Sequence, residues 1–196
     1  SNRSHTELDC RPQIGGLGSG MPTIAIVGPG AIGGILAAWL AQDPDNAITV
    51  CARTAFERLE VETPTGRIEA TPRVVVDPSD ARPVDWVLIA TKAYDAAGAA
   101  AWLARLRRED TRVVILQNGV EHVDRFAPYV AREWLVPAVI DCPAERTAPG
   151  RMRQRGPSWI VVPDSAHGRA FVPLFARTNF DVSTGDFTTR AWAKLC

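Results

Sequence analysis

The chain has 196 residues, of which 46% are hydrophobic and 22% charged, and its 22 basic and 22 acidic residues give a formal net charge of zero. This length is enough for one full hydrophobic core and the beginning of a second domain. A neutral chain offers no electrostatic case for binding nucleic acid or an anionic membrane, and no apolar stretch is long enough to span a bilayer.

The first 20 residues differ from the rest of the chain. They are polar, glycine-rich and without periodicity, and Met21 follows them directly. We interpret residues 1–20 as an expression leader or a disordered extension, and exclude them from the fold prediction.

The four cysteines are scattered along the chain, with no CxxC spacing and no cluster with histidine: Cys10, Cys51, Cys142 and Cys196. This pattern is typical of reduced thiols in a cytoplasmic protein, and it predicts neither a disulfide framework nor a metal site.

Residues 23–53 predict a strand, a glycine turn, a helix and a second strand. The apolar residues 23–27 end at the sequence GPGAIG, an alanine- and leucine-rich segment follows, and residues 47–51 form the next apolar run. In such a turn the first glycine allows a tight bend, the second lets the backbone approach a diphosphate, and the third lets the helix pack on the strand. The sequence therefore predicts a dinucleotide site, with an ordinary tight turn as the alternative, formed by Gly28, Pro29, Gly30, Ala31, Ile32 and Gly33.

The end of the second strand bears on which dinucleotide binds. NAD sites usually place an acidic residue there to accept hydrogen bonds from the ribose, whereas this chain has Arg53 followed by Thr54. A guanidinium suits a 2′-phosphate, so we expect NADP(H) rather than NAD. One alternative is that Arg53 is merely solvated. Another is that it pairs with Glu57, although Glu57 could pair with Arg58 instead.

The middle of the chain predicts more of a parallel sheet. Residues 59–63 and 67–70 read as a small hairpin, and residues 74–76, 85–90 and 113–116 as strands of which the last two are fully buried. Helices are expected at residues 96–107 and 121–126. Thr91 and Lys92 follow one buried strand and Asn118 follows the other, so all three should face the crevice at the glycine turn. The fold class is therefore α/β, a Rossmann-type, doubly wound and mostly parallel sheet.

The remaining elements are shorter. Residues 135–140 predict a sixth strand followed by an irregular segment, and a polar strand near Met152 is expected to pair with residues 158–162 as a hairpin. Residues 166–177 predict a helix with Phe171, Leu174 and Phe175 facing inward. A short strand over residues 180–182 precedes a helix that starts near Thr189, with Asp186 or Thr188 as its cap.

Taken as a set, GPGAIGG, the Arg53 strand end, ATKAYD, LQNGVEH and RAWAKLC resemble the ketopantoate reductase (2-dehydropantoate 2-reductase) family over residues 21–196. The resemblance implies an N-terminal Rossmann domain, NADPH as hydride donor, and reduction of a 2-oxo acid to a 2-hydroxy acid. It also implies that Lys92 lies near the cofactor phosphate, Asn118 near the nicotinamide and substrate, and that Lys194 is the catalytic lysine.

The resemblance further implies an all-helical C-terminal domain that is missing or truncated here. We therefore expect an NADP-binding domain over residues 21–187 and the start of the helical domain at residues 188–196, with Trp192 and Leu195 exposed and self-association into a homodimer as a hypothesis. Two other functions stay open. One is a non-catalytic dinucleotide sensor, and the other is an enzyme related to 6-phosphogluconate or opine dehydrogenases, against which the QNG and WAKL sequences argue.

Overall fold

The structure is a computed structural model that describes residues 20–119 and 121–195. The predicted leader lies outside the described residues except for Gly20, as do Cys10 and Cys196, and the side chain of Leu195 is not described.

The described residues form thirteen strands and five α-helices, joined in places by short 3-10 turns. The strands are β1 (Thr23–Val27), β2 (Ala47–Cys51), β3 (Leu59–Thr63), β4 (Gly66–Ala70), β5 (Arg73–Val75), β6 (Trp86–Ile89), β7 (Arg112–Ile115), β8 (Leu135–Pro137), β9 (Val139–Asp141), β10 (Ala144–Ala148), β11 (Arg151–Gln154), β12 (Ser158–Pro163) and β13 (Phe180–Gly185). The helices are α1 (Ala31–Leu40), α2 (Ala96–Leu106), α3 (His122–Phe126), α4 (Ala166–Phe171) and α5 (Phe187–Leu195).

Six strands form one parallel sheet in the order β5-β2-β1-β6-β7-β8. Numbered among themselves, these strands follow the order 3-2-1-4-5-6, which is that of a doubly wound dinucleotide-binding sheet. The order reverses between β1 and β6, and ligands of such sheets bind outside the carboxyl ends of the strands at this point. The predicted α/β Rossmann fold is confirmed.

The main sheet is covered on both faces. One apolar cluster joins Ile24, Ile26 and Leu36 to residues of the smaller sheets, and the other joins Val87 and Ile115 to Leu103 on α2. Because both faces are buried, the central strands carry nearly continuous apolar residues, as the sequence indicated.

Two smaller sheets complete the fold. A four-stranded sheet in the order β10-β11-β3-β4 packs on α1, and a three-stranded sheet has the order β13-β12-β9. The predicted hairpin of β3 and β4 is present with antiparallel pairing.

Three predictions for the second half of the chain were wrong. Residues 135–140 do not form one strand, because β8 pairs with β7 in the main sheet while β9 pairs with β12. The segment expected to be irregular contains β10, which pairs with β11. The strand at Met152 does not pair with residues 158–162; its other neighbour is β3, and β12 lies between β9 and β13.

The C-terminal helices differ less from the prediction. The helix expected over residues 166–177 is α4 followed by a 3-10 turn, since Pro173 cannot donate a backbone hydrogen bond. Phe171, Leu174 and Phe175 are buried as predicted. Asp186 accepts a hydrogen bond from the backbone of Thr189 at 3.1 Å, which is the expected cap of α5.

Candidate functional site

The glycine turn between β1 and α1 has the geometry of an anion-binding loop. Gly28 has a φ of +89°, and a Cβ there would lie 2.7 Å from Cγ2 of Thr91. At Gly33 a Cβ would collide with the carbonyl oxygen of Gly28, so helix and turn pack backbone to backbone. At Gly30, by contrast, no described atom lies within 4 Å of the Cβ position, leaving the backbone open to a ligand.

The amino end of α1 adds a partial positive charge to this opening. Gly30 is the N-cap and provides no side-chain hydrogen bond, and the first turn contains no acidic residue. The amides of Ala31, Ile32 and Gly33 therefore lack a side-chain acceptor at the helix end where anions are favoured.

A cleft of about 290 Å³ runs along this turn and the ends of β2 and β6. Six residues predicted from the sequence line it: Gly28, Pro29, Gly30, Arg53, Thr91 and Lys92. The structure thus brings together the glycine turn, the guanidinium and the strand end that the sequence placed at one crevice.

Arg53 is not simply solvated, and its partner is not Glu57. Its guanidinium forms an ion pair with Asp95, while Arg58 pairs with Glu60 at 2.6 Å. The side chain of Arg53 remains 82% exposed.

Gln117 fixes the strand end beside the cleft. Its side-chain amide donates to Oγ1 of Thr91 at 3.0 Å and to the carbonyl oxygen of Lys92 at 3.1 Å. Arg125 in turn donates to the Gln117 carbonyl oxygen at 2.9 Å. Because Gln117 is only 4% exposed, these bonds hold Thr91 and Lys92 in one position.

A second, smaller pocket lies next to this network. It has a volume of about 160 Å³ and is lined by Gln117, Asn118, Ile140 and Lys194, among others. The ammonium of Lys194 donates to Oδ1 of Asn118 at 3.3 Å and also to the carbonyl oxygen of Ile140. The two residues predicted to be catalytic are therefore in contact, although 76 positions separate them in the chain.

The two described cysteines near these pockets are poor nucleophiles. Burial raises the pKa of the Cys51 thiol to about 12, and nearby Arg73 lowers it only in part. Burial also raises the pKa of Cys142, against opposing effects of Ser158 and Lys194. Both thiols stay protonated at neutral pH, so neither supplies a thiolate to the site.

Within the described ranges, no three His, Cys, Asp or Glu side chains are grouped as metal ligands would be. Across the same residues, the helices are too short or too polar to cross a membrane.

Sequence reasoning assigned no role to several residues that line the cleft, among them Asp95, Trp102 and Arg146. Asp95 lies in the ATKAYD sequence, where its position after a buried strand was an available signal. Arg146 lies on β10 opposite Met152, whose side chain packs on Gly34 of α1. Since directly opposed residues share a face, Arg146 points toward α1; it makes no ion pair with any described carboxylate. Only the pairing of β10 with β11 reveals this, and the sequence prediction lacked that pairing.

Comparisons with known proteins give the same assignment. The family model "Ketopantoate reductase PanE/ApbA" matches residues 24–167. A 2-dehydropantoate 2-reductase from Caulobacter vibrioides is 57% identical over 176 residues, covering 89% of this chain and 61% of that protein. One from Mycobacterium tuberculosis is 36% identical over 180 residues, covering 88% of this chain and 59% of the relative.

A solved structure agrees with these sequence matches. The PanE/ApbA family ketopantoate reductase from Ralstonia eutropha aligns with a TM-score of 0.79 and 29% identity, over 88% of this chain and 60% of the other. The chain spans about three fifths of the length of the curated relatives from Caulobacter and Mycobacterium. By its sequence, its fold and the arrangement of its glycine turn, the chain belongs to the ketopantoate reductase family.

Proposed function

We propose that the protein reduces a 2-oxo acid of the ketopantoate type to a 2-hydroxy acid with NADPH, and that residues 21–187 of this chain bind the cofactor. The observation that carries the proposal is the open backbone at Gly30, which faces a cleft at the switch point of the sheet. The names of the curated relatives support the same reaction.

The cofactor's diphosphate fits the glycine turn. Its oxygens would accept hydrogen bonds from the amides at the start of α1, and Arg146 adds a guanidinium to the lining of the same cleft. When bound, NADPH supplies the hydride to the carbonyl carbon of the substrate.

Preference for NADPH over NADH is part of the proposal. Arg53 and Lys92 put two cations at the end of the cleft beyond β2 and β6, where an adenosine 2′-phosphate would lie. Arg53 keeps most of its surface open to such a phosphate.

Lys194 is the proposed proton donor. Transfer of a hydride to a ketone carbon leaves negative charge on its oxygen, and an ammonium stabilises this charge and donates the proton. Since Oδ1 of Asn118 accepts from Lys194, the amide nitrogen of Asn118 remains to donate to a substrate carbonyl or to the nicotinamide carboxamide. A non-catalytic sensor would have no need for this lysine.

The proposal also includes a cytoplasmic location and self-association. The protonated, buried thiols of Cys51 and Cys142 suit a reducing cytoplasm, and the exposed Trp192 suits self-association into a homodimer.

The test combines cofactor binding with turnover. We expect the intact protein to bind NADPH and to oxidise it in the presence of ketopantoate or another member of a 2-oxo acid panel. Lys194→Met should lower kcat by about 10²–10⁴-fold, the range for loss of an acid or base, with unchanged affinity for NADPH. Full turnover in this variant would remove Lys194 from the mechanism. Failure of the wild-type protein to bind NADPH would overturn the proposed function itself.

A further inference from the structure

The guanidinium assigned to the 2′-phosphate is already engaged by an acidic residue of the same cleft. Arg53 pairs with Asp95, and both side chains line the cleft beside Gly28 and Thr54. Arg53 is 82% exposed and Asp95 only 25%, so the carboxylate is the more buried member of the pair.

The backbone holds Asp95 in this position. It ends a 3-10 turn in which its amide donates to the carbonyl oxygen of Lys92 at 3.0 Å, and it is the N-cap residue of α2. Its carboxylate does not cap the helix. It lies instead over Gly98, where any Cβ would collide with Oδ1 of Asp95, so the missing side chain at Gly98 leaves room for the carboxylate.

A carboxylate in this place has opposite effects on the two nicotinamide cofactors. It competes with a 2′-phosphate for Arg53 and repels the doubly charged group. Toward an unphosphorylated ribose, a carboxylate in this cleft can accept hydrogen bonds from the hydroxyl groups, as the acidic residue at the end of the second strand does in NAD sites.

We propose that Asp95 is a specificity-determining residue. It weakens binding of the 2′-phosphate and so reduces the preference of the site for NADPH over NADH. This inference rests on the proposed cofactor function. It assigns the degree of cofactor preference to the Arg53–Asp95 pair rather than to Arg53 alone.

Asp95→Asn isolates the charge. Asparagine has nearly the same size and shape as aspartate, and the variant loses no capping hydrogen bond because the carboxylate makes none. An ion pair with so exposed a partner contributes little to stability, so the variant should fold normally. Asp110→Asn is the matched control, because Asp110 also pairs with an arginine, Arg108, but lies beyond the other end of α2.

Two probes that differ only in the 2′-phosphate separate the effects: adenosine 2′,5′-bisphosphate and adenosine 5′-monophosphate. Calorimetric titration should show that Asp95→Asn binds the bisphosphate about three- to tenfold more tightly, with no gain for the monophosphate. Asp110→Asn should match the wild type for both probes. In an Arg53→Gln background the gain from Asp95→Asn should shrink, since no guanidinium is left to release.

The outcomes distinguish this inference from the proposed function. If the wild type binds both probes but Asp95→Asn leaves the ratio of their affinities unchanged, or lowers the affinity for the bisphosphate, the role of Asp95 is wrong and the cofactor site stands. A gain of the same size in the Arg53→Gln background would overturn the action through Arg53. If the wild type binds neither probe, the proposed function fails, and this inference fails with it.

Discussion

Gly28, Gly30 and Gly33 lie in one short turn, and each meets a different constraint. Gly28 needs its positive φ, and Gly33 lies against the carbonyl oxygen of Gly28. Gly30 has ordinary dihedral angles, φ −71° and ψ −160°, and an open Cβ position. The fold therefore requires two of these glycines, whereas the third leaves an open Cβ position beside the proposed cofactor site.

Gly30→Ala should consequently lose cofactor affinity without losing stability. A methyl group there would project into the path of the diphosphate, and we expect NADPH to bind about tenfold more weakly or worse, a cost of ~1.4 kcal/mol. The free energy of unfolding should change by less than about 1 kcal/mol, because alanine tolerates these dihedral angles. Trp102 lines the cleft, so quenching of tryptophan fluorescence reports the binding.

Gly33→Ala is the control, and it should show the reverse pattern. Its methyl group would contact the backbone at Gly28 rather than the ligand, so the free energy of unfolding should fall by about 1–3 kcal/mol. Equal loss of stability in both variants would contradict the separation of roles.

At the residue scale, the sequence predicted the parts of the site that follow a strand directly. Arg53, Thr91 and Lys92 all line the cleft, because parallel strands end at the same edge. Asn118, expected at the same crevice, lines the second pocket instead. The sequence did not predict that Arg53 would pair with Asp95, 42 positions away. Side-chain pairing depends on the path of the loop after β6, which no local pattern specifies.

At the scale of elements, Asp85 links the start of β1 to the start of β6 through hydrogen bonds. Its carboxylate accepts hydrogen bonds from the backbone and hydroxyl of Thr23, at 2.8 and 2.7 Å, and pairs with Arg108. Partial burial raises the pKa of Asp85, but the hydrogen bonds from Thr23 and the charge of Arg108 together outweigh it, and the pKa lies below its ordinary value.

Asp85→Asn should therefore destabilise the protein in a pH-dependent way. A carboxyl whose folded pKa is lowered stabilises the fold above its unfolded pKa, about 3.9, and this contribution is lost as pH falls through the folded value. We expect a loss of about 1–2 kcal/mol at pH 7 from the weakened hydrogen bonds to a charged group. The difference should shrink as pH falls below the unfolded pKa and disappear once pH is below the lowered folded pKa of Asp85, as followed by urea unfolding.

Asp110→Asn again serves as the control. Asp110 pairs with the same arginine at 2.7 Å, but its side chain is 63% exposed. Its replacement should change the free energy of unfolding by less than about 0.5 kcal/mol. A pH profile for Asp85→Asn parallel to that of the wild type would contradict the argument.

The elements also show where sequence prediction ends. The bounds of β1 and β2 agree with the apolar runs, since these strands are buried on both faces. From β8 onward, the sequence predicted most of the strands but neither β10 nor the break between β8 and β9, and it did not predict the partners of these strands. β8 and β9 are almost continuous yet join different sheets, and β11 pairs with β3, with Arg153 donating to Glu62 at 2.7 Å across 91 positions. Alternation of residues indicates a strand, but it does not identify a distant neighbour.

At the scale of the whole molecule, the surface at α5 predicts association. Within α5, Ala191 faces the rest of the domain and is buried. The neighbouring Trp192 is 55% exposed, which is unusual for a large aromatic side chain. We expect the chain of 196 residues to self-associate as its concentration rises, and Trp192→Ser to shift it toward the monomer in light scattering. Met21→Ser is the control, because Met21 is equally exposed but lies before β1. A wild-type chain that stays monomeric at high concentration would count against the prediction.

Cofactor binding should also stabilise the molecule as a whole, because the glycine turn, the end of β2 and the end of β6 contribute to one cleft. A ligand at 100 times its dissociation constant adds about 2.7 kcal/mol to the free energy of unfolding. For a domain of this size, each kcal/mol shifts Tm by about 2–4 °C, so NADPH should raise Tm by about 5–10 °C. NADH at the same concentration should raise it less, since it leaves Arg53 and Lys92 without a phosphate to bind. Gly30→Ala should reduce the NADPH effect by about half or more in the same thermal scan, because a tenfold loss of affinity lowers the stabilisation to about 1.4 kcal/mol. An undiminished rise in that variant would place the nucleotide away from the glycine turn.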